Sequence, residues 1–127
     1  MSSLASVLAA GAIAILSCSL ARAQSAGEML QAYEALQQGM HVEGGKIFLP
    51  PRADVNQCWG FMSAVLQYSV LADQDGKTLL GACPGPDTTV TKIIRVFTDY
   101  ARAHPEKLSL QAAAAAYNAM RDAFPCD

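Results

Sequence analysis

Thiol and imidazole chemistry in this 127-residue chain is confined to Cys18, Cys58, Cys83, Cys126, His41 and His104. No two cysteines stand two residues apart, so neither a zinc-ligand pair nor a thioredoxin-like pair is present. Cys58 falls near the start of a predicted helix. A free thiol there would be acidified by the helix dipole, and the blander reading is a buried structural cysteine. His104 stands directly before Pro105, which disfavours further helix, and reads as a cap at a helix C-terminus, where a partly cationic ring is favoured. His41 lies in a glycine-rich stretch. No histidine–carboxylate–nucleophile set and no phosphate-cradling glycine loop after a strand is suggested. Asp73-Gln74-Asp75-Gly76 lacks the ligand series and closing glutamate of a calcium loop and reads as a turn. The expectation is a protein with no catalytic residues, cofactor or metal; an enzyme reading would have only Cys58 and His104 to offer.

The compartment comes from the N-terminus. Residues 4–21 are almost entirely apolar or small, and Ala21-Arg22-Ala23 supplies the small residues a signal peptidase reads. Residues 1–23 are therefore read as a cleaved signal peptide, with Gln24 as the new N-terminus. A membrane anchor is the competing reading, because the run reaches about 18 residues, the lower limit for a span; lipidation at Cys18 is another. Removal of the leader leaves residues 24–127 as one exported, periplasmic domain with no further membrane segment. The whole chain carries a formal net charge of −2 and no basic run, which argues against nucleic acid. The exported part retains Cys58, Cys83 and Cys126, an odd number that implies one bridge and one leftover thiol, or a bond between chains.

The elements that position these residues are read as helices. Ser25-x-x-Glu28 is a capping box opening a helix to Met40, with Met29, Tyr33, Leu36 and Met40 at helical spacing. Residues 41–53, with Gly44-Gly45 and Pro50-Pro51 around Ile47-Phe48-Leu49, read as an irregular loop packed onto helices. A second helix is predicted from Asp54, with Gln57 completing another box. Its stripe Val55, Cys58, Met62, Val65 and Ser69 is flanked by a second one, Trp59, Leu66 and Val70, that needs a partner of its own and is the candidate protein-contact surface. Thr89 caps a third helix with a buried face of Val90, Ile93, Ile94, Phe97, Tyr100 and Ala101. A fourth is predicted from Ser109, with Leu110, Ala113, Tyr117, Met120 and Phe124 inward and alanines 112–116 permitting close helix contact. The fold class is all-α, a small disulfide-tied four-helix domain. Up-down connectivity brings Cys126 to the end of the bundle that holds Cys83 and favours that bridge, with Cys58 as the free thiol. The loop before Cys83 is also long enough to bring it to Cys58.

Cys58-x-Gly60-Phe61, Cys83-Pro84, the Val90–Tyr100 helix ending in His104-Pro105, and Ala123-Phe124-Pro125-Cys126 follow one another in an order that resembles the Rap/Tai immunity family. The resemblance covers residues 58–126. It implies a small exported helical protein that binds and blocks a peptidoglycan amidase effector of a type VI secretion system, by steric occlusion and without turnover. It also implies a further cysteine in the first helix, where this chain has Leu30-Gln31-Ala32-Tyr33. A homodimer is compatible with the second apolar stripe. A general periplasmic stress or chaperone-like protein with no cognate toxin is the alternative.

Overall fold

The computed structural model describes residues 23–127. The apolar leader, Cys18 and the cleavage motif up to Arg22 lie outside the described residues. Among the described residues four helices carry the fold: α1 (Ala26–Gly39), α2 (Ala53–Ser69), α3 (Val90–Ala103) and α4 (Ala112–Ala123). A two-stranded hairpin, β1 (His41–Glu43) and β2 (Lys46–Phe48), separates α1 from α2, and a 3₁₀ turn (Pro105–Lys107) separates α3 from α4. The domain is thus mostly helical but not strictly all-α.

α1 begins where the sequence places it. Ser25 accepts the Glu28 N–H at 3.2 Å, and the Glu28 carboxylate accepts the Ser25 N–H at 2.8 Å, so two helix-end donors are satisfied reciprocally. The next donors are taken from far along the chain. Ala26 N–H bonds the Leu110 carbonyl at 2.7 Å, Gly27 N–H bonds that of Leu108 at 3.0 Å, and Ala112 N–H returns to the Gln24 carbonyl at 2.9 Å. Ser25 and Gln111 thus pair as an isolated antiparallel bridge. This pairing explains why α4 starts at Ala112 and not at Ser109: residues 108–111 are held in a non-helical course by α1's first turn.

The hairpin corrects the loop reading of residues 41–53. Gly44 and Gly45 have φ of +56° and +76°, as both central residues of a type I′ turn require, and set the register His41↔Phe48, Val42↔Ile47, Glu43↔Lys46. Nor does the segment pack down as expected. Both strands are exposed, and only Leu49 and Pro50 behind them are half-buried. The chain re-enters the body where Pro50 sits directly against Gly39, leaving no room for a Cβ on that glycine.

α2 starts at Ala53 behind Arg52, with no side-chain cap, so the predicted Asp54/Gln57 box does not form. Asp54 instead pairs with Arg52 at 2.7 Å. Asp73–Gly76 is a turn: the Asp73 carboxylate accepts the Asp75 and Lys77 N–H groups, each at 2.9 Å. α3 is capped by Thr89, which accepts the Lys92 N–H at 3.3 Å, and it buries Ile93, Ile94, Phe97, Tyr100 and Ala101 as its spacing predicts. α4 is different. Its buried face is Ala112, Ala115, Ala116, Ala119 and Met120, while Leu110 and Ala113 are exposed and Tyr117 is half-buried. Alanines let α3 and α1 approach α4 closely, while Leu110 turns outward and Tyr117 is left half-buried. Tyr33, Leu36, Met62, Ile93, Ile94, Phe97 and Met120 fill the centre, with Tyr33 edge-on to Phe97 at 5.2 Å between ring centroids.

Candidate protein-binding surface

α1 and α3 each pack against both other helices, and α2 and α4 lie to either side of them. Between α2 and α4 opens an apolar groove of about 350 Å³, lined by Phe61, Ala64, Val65 and Tyr68 from α2, Ala113, Ala116 and Tyr117 from α4, and Leu80 from the connecting loop. Of its larger lining side chains Tyr68 is the most open to solvent, at 58 % exposure. Arg121 edges the far side, with its guanidinium over the Tyr117 ring at 5.3 Å and donating to the Tyr117 hydroxyl at 3.3 Å.

The residues singled out in the sequence lie on the other flank of α2. Trp59, Leu66 and Val70 recur at helical spacing, but they do not share one environment. Trp59 and Leu66 are half-buried and pack against the core, whereas Val70 is open to solvent. Part of the partner that this stripe requires is therefore the domain's own interior. Phe61, Tyr68 and Tyr117, which shape the groove, were not singled out; Phe61 and Tyr68 read as neither stripe, and Tyr117 read as core. A second exposed apolar patch is the hairpin, where Val42 and Ile47 face each other across the strands and His41 stacks on Phe48 at 5.2 Å. Its sequence signal was the Gly44-Gly45 pair between apolar residues.

Cys83 and Cys126 are joined by a disulfide, with Cα atoms 5.1 Å apart. The Cys83 N–H also bonds the Phe124 carbonyl at 2.8 Å, and Ala82 beside it is fully buried. The loop after α2 is thereby fixed to the end of α4, and Leu80 is held as a wall of the groove. Cys58 is free and buried. Desolvation, with the Asp54 charge adding, pushes its thiol up to about 11, the reverse of the acidification a helix start would give. The dipole acts within the first turn, and Cys58 is a turn deeper in α2, where burial decides. Beside it the Tyr33 hydroxyl donates to the Cys58 carbonyl at 3.0 Å, and burial, then Cys58, raises the Tyr33 phenol well above its ordinary range.

His104 closes α3: its N–H bonds the Tyr100 carbonyl at 3.0 Å, its ring leans on Tyr100 at 4.5 Å, and Nδ1 lies 3.3 Å from the Glu106 carboxylate. Lys107 donates to the Tyr100 hydroxyl at 2.6 Å and lies over the same ring. These contacts make His104 part of a helix ending. Among the described residues no group of three or more histidine, cysteine or carboxylate side chains is placed to hold a metal ion, and no helix is long and apolar enough to cross a membrane.

No curated protein and no solved structure matches this sequence. A family model does: that of the Rap1a immunity proteins, over residues 50–126. The matched segment spans more than half of the chain and takes in α2, α3, α4, both bridged cysteines and every residue of the groove, while the hairpin lies before it. The chain belongs to the Rap1a immunity protein family.

Proposed function

We propose that residues 24–127 form a periplasmic immunity protein that binds a peptidoglycan amidase effector of a type VI secretion system and blocks it without catalysing a reaction. The observation that carries this reading is the family match over residues 50–126. The apolar surface around α2 supports it. Trp59, Leu66 and Val70 on one flank, and the groove-side aromatics on the other, give a protein partner both anchors and a recess. Export of the domain, by cleavage after Ala23, places it where such an effector would act. A bridge between Cys83 and Cys126 accords with an oxidising compartment.

The test is reconstitution. Purified residues 24–127 are titrated into peptidoglycan amidase effectors of type VI secretion systems from the same genome while hydrolysis of isolated sacculi is followed. Hydrolysis should fall in proportion to the immunity protein added and stop near molar equivalence. Full activity of every such amidase in the presence of excess residues 24–127 would refute the assignment.

A further inference from the structure

We infer that Gln24 is a modification site, whose side chain closes on the new amino terminus to form a pyrrolidone carboxylate ring. This rests on the export reading above, in which cleavage after Ala23 frees the Gln24 α-amine. The chemistry is internal to the residue. The amine lone pair attacks the side-chain amide carbon, a bond forms between the α-nitrogen and that carbon, and the bond from the carbon to the amide nitrogen breaks. That nitrogen leaves as ammonia with a proton from the amine. No oxidant, reductant or co-reactant is consumed.

The fold holds Gln24 in a way that the ring leaves intact. Its carbonyl, which is outside the ring, accepts the Ala112 N–H at 2.9 Å, and the next residue pairs with Gln111. Among the described residues no hydrogen bond engages its α-nitrogen or its side-chain amide, the two groups that react. The helix pole favours the neutral product. Gln24 directly precedes Ser25, the N-cap of α1, so a terminal ammonium would sit at the positive pole of a 14-residue helix. It lines a cleft with Glu28, Gln31, Arg52 and Asp54. The two carboxylates in that cleft are already engaged, Asp54 with Arg52 at 2.7 Å and Glu28 with the Ser25 N–H at 2.8 Å. The uncharged amine is the nucleophile that cyclisation needs, and the ring is neutral at the helix pole.

The full chain with its leader is expressed in a Gram-negative host, the exported form is purified, and its intact mass and N-terminal peptide are read by mass spectrometry, fresh and after prolonged incubation. The expected result is residues 24–127 lighter by one ammonia, in a fraction that grows with time, with Gln24→Ala cleaved at the same position but keeping a free amine. A chain that starts at Gln24 and keeps its ammonia throughout overturns the modification and leaves the export reading standing. A chain that starts elsewhere overturns both.

Discussion

Removing the Cys83–Cys126 bridge is the perturbation whose size follows most directly from the fold. The two cysteines are 43 positions apart, and the closed loop contains all of α3 and all of α4. In the chain-entropy model a loop of that length restricts the unfolded chain by about 4 kcal/mol. Little of this is recovered by the native state on reduction. The Cys83 N–H bond to Phe124 and the buried Ala82 keep the two segments adjacent without the bridge. Against a typical domain stability of about 5–15 kcal/mol, the loss is large but not total. The Cys83→Ser/Cys126→Ser double variant should therefore stay folded at low temperature, lose about 3–4 kcal/mol in urea titrations, and melt at least ~10 °C lower. Its urea m-value should rise, because an unfolded chain without the cross-link exposes more surface. A stability loss below about 1 kcal/mol with an unchanged m-value would refute the reasoning, since it would mean that the unfolded chain is already restricted in the same way.

Tyr33→Phe removes the hydroxyl that bonds the Cys58 carbonyl inside the core and should cost about 1 kcal/mol by urea melting, with no cavity beyond one oxygen. The buried Cys58 thiol, held near 11, binds its proton more tightly in the folded chain than in the unfolded one. Its contribution is complete below the ordinary thiol range and is lost as pH rises toward 11, so stability should fall by about 2–3 kcal/mol over that alkaline window, less so in Cys58→Ala. An identical alkaline slope in the two proteins would show that Cys58 is not the group responsible. Trp59→Ala should weaken effector binding by about 2 kcal/mol or more in calorimetry. Its half-buried ring should cost less in melting than the ~3–5 kcal/mol of a fully buried aromatic; a large melting loss with unaltered affinity would assign Trp59 to the core alone.

The parts of the fold that could be read from sequence are those fixed by local rules. The Ser25–Glu28 box and the Thr89 cap are chemical instructions contained within four residues, and α3 carries its buried face in strict helical period. What escaped depends on distant partners. The start of α4 is set by hydrogen bonds from residues 24–27, which nothing around Ser109 announces. Its inward face is alanine and Met120 because neighbouring helices come close, so Leu110 and Tyr117, which look like part of a core stripe, turn out to lie at the surface or half-buried. The hairpin's sequence signal is Gly44-Gly45, but Ile47-Phe48-Leu49 is a single apolar triplet with no second apolar run beside it. The strand partner is His41-Val42-Glu43, only one of whose residues is aliphatic. The surface was legible only in part. Trp59, Leu66 and Val70 share a face of α2, yet two of them lean on the core, and the groove on the opposite flank exists only once α2 and α4 stand apart.

The backbone bonds between residues 24–27 and 108–112 also impose an order in time. A ribosome, or a translocation channel fed from the N-terminus, delivers α1 first and its last partners more than 80 residues later. Until that moment the Ala26 and Gly27 N–H groups must be satisfied by water, and α1 and α3 lack the alanine face that closes over them. Pairing across so long a separation is entropically slow, which concentrates the decisive step at the end of synthesis. A chain that stops before Ala112 should therefore remain an open, helix-prone string, and folding of this domain is an event that follows delivery of the whole chain.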